Sequence, residues 1–111
     1  MFEFASIEQY HAQLQEGNVT CLKAVEHYLK RIDETKHLNA FIEVYTHEVL
    51  QKAKELDEKR KAGLPIGKLH GVVIGLKDVI CYKDHNISAS SNILKKFTSI
   101  YSATAVERLL A

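Results

Sequence analysis

The sequence predicts an α/β fold that is incomplete. Three observations lead there. Apolar residues recur at helical spacing from Leu22 to Ile32 and again from Val49 to Leu56. Two short segments rich in β-branched and aromatic residues, "NAFIEVYT" and "GVVIGL", read as strands. The last residues, "TAVERLLA", open a helical pattern that the chain stops inside. Two strands alone make a poor sheet, because their edges need partners. The expected fold is therefore the front part of a larger α/β protein. Helices are expected at about 6–16, 21–34, 46–62 and 104–111, and strands at about 40–45 and 72–76.

Each element has a local reason. Ser6 and Gln9 have capping-box spacing, and Gly17 stands where a helix-ending glycine belongs. Thr20 is the next candidate cap, ahead of Leu22, Val25, Tyr28, Leu29 and Ile32 on one face. Phe41, Ile42, Val44 and Tyr45 favour a strand. Thr46 can cap the third helix, whose stripe is Val49, Leu50, Ala53 and Leu56. Its other face is charged and reads as solvated. Gly63 and Pro65 stop it. After the loop "LPIGKLH", Val72, Val73 and Ile74 are apolar in succession, which suits a strand covered on both faces. The stretch "DHNISASSN" is polar and hydroxyl-rich, with a short helix possible from Ile93 to Phe97.

Composition excludes several classes. The chain has 111 residues, 46% hydrophobic and 26% charged, with a net charge of +1. That is ordinary globular composition, with no basic excess to build a nucleic-acid surface. No apolar run is long enough to span a bilayer, so no membrane role is expected. The opening "MFEFASIEQYHAQ", with Glu3 and no apolar core, is not a secretory signal. Cys21 and Cys81 are too far apart for a C-x-x-C motif, and reduced thiols in a cytoplasmic protein are the default reading.

Motif by motif, most signals are weak. Gly71-x-x-x-Gly75-x-Lys77 has one glycine spacing too short for a phosphate loop, Leu76 intervenes, and Asp78 follows where Ser or Thr is required. No cofactor is expected in this chain. The six histidines show no H-x-x-x-H pair; His70, Cys81 and His85 flank the strand but lack ligand spacing, so no metal is expected. Ser88, Ser90 and Ser91 could be nucleophiles, yet a turn satisfied by hydroxyls is the favoured reading. Lys77 closes the strand. An exposed strand-end charge is its favoured reading from pattern alone. The alternative is a base, which needs a neutral amine of the kind burial provides; pairing with Asp78 would act the other way.

At these residues the chain resembles the amidase signature enzymes. "NVTCLKAVEHYLKRIDETKHLNAFIEV" is similar to the family's N-terminal helix leading into "NAF". "GKLHGVVIGLKDVI" resembles its strand ending in Lys-Asp, "SASSNILKKF" its "T-x-A-G-S-x-x-L-x-x-F", and "YSATAVERL" its "Y-x-A-T-x-V-x-R-L". The set, in order across nearly the whole chain, is far more specific than any one piece. Two departures stand out: Val73 replaces the usual Pro, and Ser90 replaces the Gly of "A-G-S".

The resemblance implies the N-terminal portion of the amidase signature fold, with residues 1–111 a segment of one amidase domain. It also implies a Ser–cis-Ser–Lys triad, with the lysine falling on Lys77. Both serines lie downstream of the matching region, so the chain is expected to be a truncated piece, inactive alone. The "K-D-x-x-C" and "Y-x-A-T" versions lean toward members that hydrolyse glutamine for a tRNA-dependent amidotransferase. That implies B and C partner subunits, aminoacyl-tRNA reached through the complex, and ATP and Mg2+ bound in the partner. The other readings are a different amide hydrolase of the family, or a stand-alone interaction module without catalysis.

Overall fold

The computed structural model describes residues 4–111; Glu3 of the opening segment lies outside them. By its internal contacts the chain divides into two compact units, one ending at Val73 and one running from Ile74 to Ala111.

The first unit is helical. Helix α1 spans Ile7–Gln15, α2 Cys21–Glu34 and α3 Thr46–Lys61, with a 3₁₀ turn at Lys36–Leu38. Ser6 caps α1, its hydroxyl accepting the Gln9 amide at 3.1 Å. Gln9 answers with its own carbonyl oxygen, which accepts the Ala5 amide at 2.6 Å, one residue earlier than a standard capping box. The helix ends in a Schellman turn. The Gly17 amide donates to the Leu14 carbonyl and the Asn18 amide to that of Gln13, at 3.2 and 3.0 Å. That turn needs the left-handed backbone that Gly17 adopts, with φ +78°. The same device closes α3, where the Gly63 and Leu64 amides return to Arg60 and Lys59.

Helix α2 begins with every exposed amide of its first turn engaged. The Thr20 hydroxyl accepts the Lys23 amide at 3.1 Å. Asp57, reaching across from α3, accepts the Cys21 and Leu22 amides at 2.9 and 3.0 Å. One turn on, Arg60 donates to the Leu14 carbonyl at 2.7 Å, at the C-terminal end of α1. Its guanidinium lies 3.7 Å from the Asp57 carboxylate. Side chains of α3 thus bond to the end of one helix and the start of the next.

The core lies among these helices. Tyr10, Leu14, Val19, Cys21, Ala24, Val25 and Ala53 are buried together, with Leu22, Leu29, Val49, Leu50, Leu56, Val72 and Val73 packed against them. Complete burial of a side chain such as Leu14 is worth about 2–3 kcal/mol. A small apolar recess is lined by Phe4, Ile7, Tyr10, Ala24, Tyr28 and Gly71–Val73.

Residues 70–73 return to α1. His11 Nε2–H donates to the His70 carbonyl at 2.9 Å, and the Tyr10 hydroxyl donates to the Gly71 carbonyl at 3.1 Å. Gly71 sits at φ +72°, and a Cβ there would lie 2.5 Å from Cys21 Sγ and 2.9 Å from Tyr10 Oη. Burial pushes the Cys21 thiol up to about 11 and raises the Tyr10 hydroxyl above its ordinary value, so both stay protonated at neutral pH.

The second unit is mostly irregular. A 3₁₀ turn covers Asn92–Leu94, and helix α4 covers Thr104–Leu110. Segments around Asn86 and Thr98 meet in one antiparallel bridge. Around it the Asp84 amide donates to the Ser99 carbonyl, Ser99 to His85 and Ile87 to Phe97, at 2.8 to 3.1 Å. Ile87, Ser99 and Val106 are buried.

Two expectations are corrected here. No strand forms at 40–45 or 72–76, and no sheet among the described residues. A strand exists by pairing its amides and carbonyls with a neighbour, and composition cannot supply one. Val72 and Val73 pack on the helical core, while Ile74 and Leu76 are exposed. The doubly covered strand inferred from the apolar run is absent. Thr46 also does not cap α3: it is the first helical residue, and Tyr45 at the cap position makes no side-chain cap bond.

Candidate functional site

The residues singled out in the sequence gather along Lys77–Cys81 and Ser88–Ser91, within the second unit. Lys77 is exposed at the start of a turn that the Ile80 amide closes on the Lys77 carbonyl at 3.0 Å. Its neighbour Asp78 is engaged elsewhere. One carboxylate oxygen accepts the Ser88 amide at 3.0 Å, and the other accepts the Ser88 hydroxyl at 2.5 Å. The Asp78 carbonyl accepts the Ala89 amide at 2.9 Å. The Ser88 hydroxyl, then the Ser88 amide, holds the Asp78 carboxyl below the usual carboxylate range. The charge is therefore stabilised by hydrogen bonds to Ser88, without recourse to Lys77.

The hydroxyl cluster is a turn. The Ser91 amide donates to the Ser88 carbonyl at 2.8 Å. Between them Ala89 and Ser90 both have left-handed backbone, φ 48° and 58°. Consecutive residues in such a turn bring amides toward one anion, and here that anion is Asp78. Ser90 thus occupies a conformation that glycine, the residue it replaces in the family pattern, adopts without cost.

The histidines and cysteines take separate places. His85 stacks on Tyr82 with ring centres 3.9 Å apart, and its Nδ1–H donates to the Lys83 carbonyl at 2.8 Å. Both cysteines are free thiols. A hydrogen bond between Cys81 and Tyr101 raises the Tyr101 hydroxyl. His70 is buried in the first unit, and its Nε2 has no hydrogen-bond partner among the described residues. No three His, Cys, Asp or Glu side chains converge among the described residues. Gly75 has open space where a side chain would be.

The sequence does not reveal the Asp78–Ser88 pair: Asp78 reads as a neighbour of Lys77 and Ser88 as a turn hydroxyl. Ten residues of separation carry no periodic signal that would join them.

The family model described as Amidase matches residues 23–111, which include Lys77, Asp78 and the Ser88–Ser91 turn. The chain belongs to the amidase family. Its relatives include proteins named as the A subunit of glutamyl-tRNA(Gln) amidotransferase. That of Chlorobium phaeobacteroides (strain BS1) is 39% identical over 107 residues, 96% of this chain and 22% of that protein. That of Chlorobaculum parvum is 38% identical, covering 98% of this chain and 23% of the relative. That of Protochlamydia amoebophila is 38% identical, covering all of this chain and 23% of the relative. This amidase-family chain therefore spans about a fifth of the length of the curated relatives it matches. No helix among the described residues is long and apolar enough to cross a membrane.

Proposed function

We propose that these residues carry the lysine base of a glutamine-hydrolysing A subunit of an aspartyl/glutamyl-tRNA amidotransferase. In that reading a serine attacks the glutamine amide carbonyl. A bridging serine takes up its proton and passes its own to Lys77. The tetrahedral intermediate collapses to a glutamyl ester, and the leaving nitrogen departs as ammonia with a returned proton. Water then releases glutamate. The ammonia serves a partner subunit that converts Glu-tRNA(Gln) to Gln-tRNA(Gln) with ATP and Mg2+, in the cytoplasm, within a complex that includes B and C subunits.

The observation that carries the reading is the place of Lys77: it lies inside the region matched by the amidase family model, on a backbone tied to the Ser88–Ser91 turn through Asp78. The relatives' shared name supports amide transfer to glutamyl-tRNA(Gln) as the reaction served. The chain supplies the base and no serine pair in the family's positions, so alone it is expected to be inactive. Lys77 is exposed among the described residues, and the reading requires the serine pair to approach it there.

The test exchanges this chain for the matching segment of the Chlorobium phaeobacteroides protein, assembled with its partner subunits, and measures ammonia released from glutamine. The chimaera is expected to release ammonia, and Lys77→Ala to abolish it while the protein stays folded. Lys77→Arg is expected to fail too, because guanidinium does not shed its proton. Normal release by Lys77→Ala, or release by the 111-residue chain alone, would overturn the reading. A chimaera active on simple amides and not on glutamine would point to the other amide hydrolases of the family.

A further inference from the structure

We propose that Asp78 and Ser88 are a positioning pair for Lys77, fixing the backbone from which the lysine projects and keeping the neighbouring carboxylate away from it. The proposal rests on reading Lys77 as the base.

The argument begins with the bonds around one peptide. The Lys77 carbonyl accepts the Ile80 amide, and the Asp78 carbonyl accepts the Ala89 amide. The Asp78 side chain meanwhile grips Ser88 through both carboxylate oxygens. Lys77 and Asp78 are therefore tied in two directions, to the turn that follows them and to the loop ten residues on. A single tether leaves a pivot, whereas two tethers set an orientation.

The loop has been built to make this contact at some conformational cost. Ala89 and Ser90 lie in the left-handed region, which is disfavoured for a residue with a side chain. Such backbone persists where surrounding bonds over-determine it. Here those bonds converge on Asp78. Removing the Ser88 hydroxyl would release one carboxylate oxygen of Asp78, one residue from Lys77, from the donor that fixes it. Ser88 thus acts through Asp78 on the placement of the lysine. A displaced base loses rate steeply, since proton transfer requires hydrogen-bond reach.

The experiment uses the chimaera described above, with Ser88→Ala and Ser88→Thr. Ser88→Ala is expected to lower kcat roughly tenfold or more with KM little changed, because only the reacting geometry is disturbed. Ser88→Thr keeps the hydroxyl and is expected to restore kcat. In the 111-residue chain, amide hydrogen exchange read by NMR is expected to show Ala89 protected, and about tenfold less so in Ser88→Ala. If Lys77→Ala is inactive but Ser88→Ala keeps full kcat, the positioning pair is wrong and the base reading stands. If Lys77→Ala is itself active, both fall. Failure of Ser88→Thr to recover kcat, with Ala89 still protected, also overturns the role of the hydroxyl.

Discussion

Asp57 on α3 caps α2 from 36 residues away: its two carboxylate oxygens separately accept the amides of Cys21 and Leu22. The carboxylate is buried, and Arg60 is its counter-charge at 3.7 Å. It thus satisfies two helix-start amides that have no partner within their own helix. Asp57→Ala would strand both amides and leave Arg60 without its acid. The expected loss is about 3 kcal/mol. Asp57→Asn keeps one acceptor oxygen and is expected to cost less. Urea unfolding followed by helical circular dichroism checks this; equal, negligible shifts for both variants would refute the capping role.

Gly71 is set by two constraints at once. Its φ of +72° is costly for any residue with a Cβ, and that Cβ would lie 2.5 Å from Cys21 Sγ. Gly71→Ala is therefore expected to destabilise the chain by roughly 3 kcal/mol, from backbone strain and overpacking together. The two parts separate in a double-mutant cycle. Cys21→Ala removes the sulfur, so Gly71→Ala should cost markedly less in that background. An unchanged cost would leave backbone strain and the 2.9 Å approach to Tyr10 Oη as the whole effect.

The helices were legible because their signals are local. Ser6, Thr20, Gly17 and Gly63 each act within a few residues of their position, and periodicity marks the buried faces between them. The strands were not legible as absent. Phe41, Ile42, Ile74 and Leu76 have strand chemistry, yet they are exposed among the described residues, with no ladder to join. Propensity describes a fit to a sheet and cannot provide the sheet. The site divides in the same way. Lys77 stood out by its place after an apolar run and by resemblance. The engagement of Asp78 by Ser88 depends on a fold-back of the chain, and so does the reach of Asp57 to Cys21.

His70 gives the first unit an acid-sensitive point. It is 6% exposed, and burial lowers its imidazole below the ordinary value of 6.5, reinforced by His11, Lys59 and Arg60 and opposed by Asp57. Below about pH 6.5 the unfolded chain takes up this proton and the folded chain resists it. The unfolded state then binds more protons, so stability is full above that pH. It is lost as pH falls toward the lowered folded value, with no further loss beyond it. His70→Gln is expected to flatten that part of the profile. Urea midpoints for both proteins between pH 5 and pH 7.5 test the sign. A wild-type chain that gains stability on acidification relative to the variant would contradict it.

Ser90 and Ser91 make a matched pair for the last test. Ser90 has φ 58°, in the region glycine occupies freely, while Ser91 has φ −100°. Ser90→Gly relieves left-handed strain worth about 1–2 kcal/mol and adds disorder to the unfolded chain worth about 0.5–1 kcal/mol. The net expectation is a gain of roughly 0.5–1 kcal/mol. Ser91→Gly has no strain to relieve and carries only the second contribution, so it is expected to destabilise by a similar amount. Neither change removes a side-chain bond to Asp78, so the difference reports backbone conformation at the turn beside Lys77. Chemical unfolding of the two variants, with amide exchange at Ala89 as a local readout, gives both signs. If Ser90→Gly is the less stable of the two, the backbone at residue 90 is not left-handed in solution, and the grip of the loop on Asp78 must be built differently.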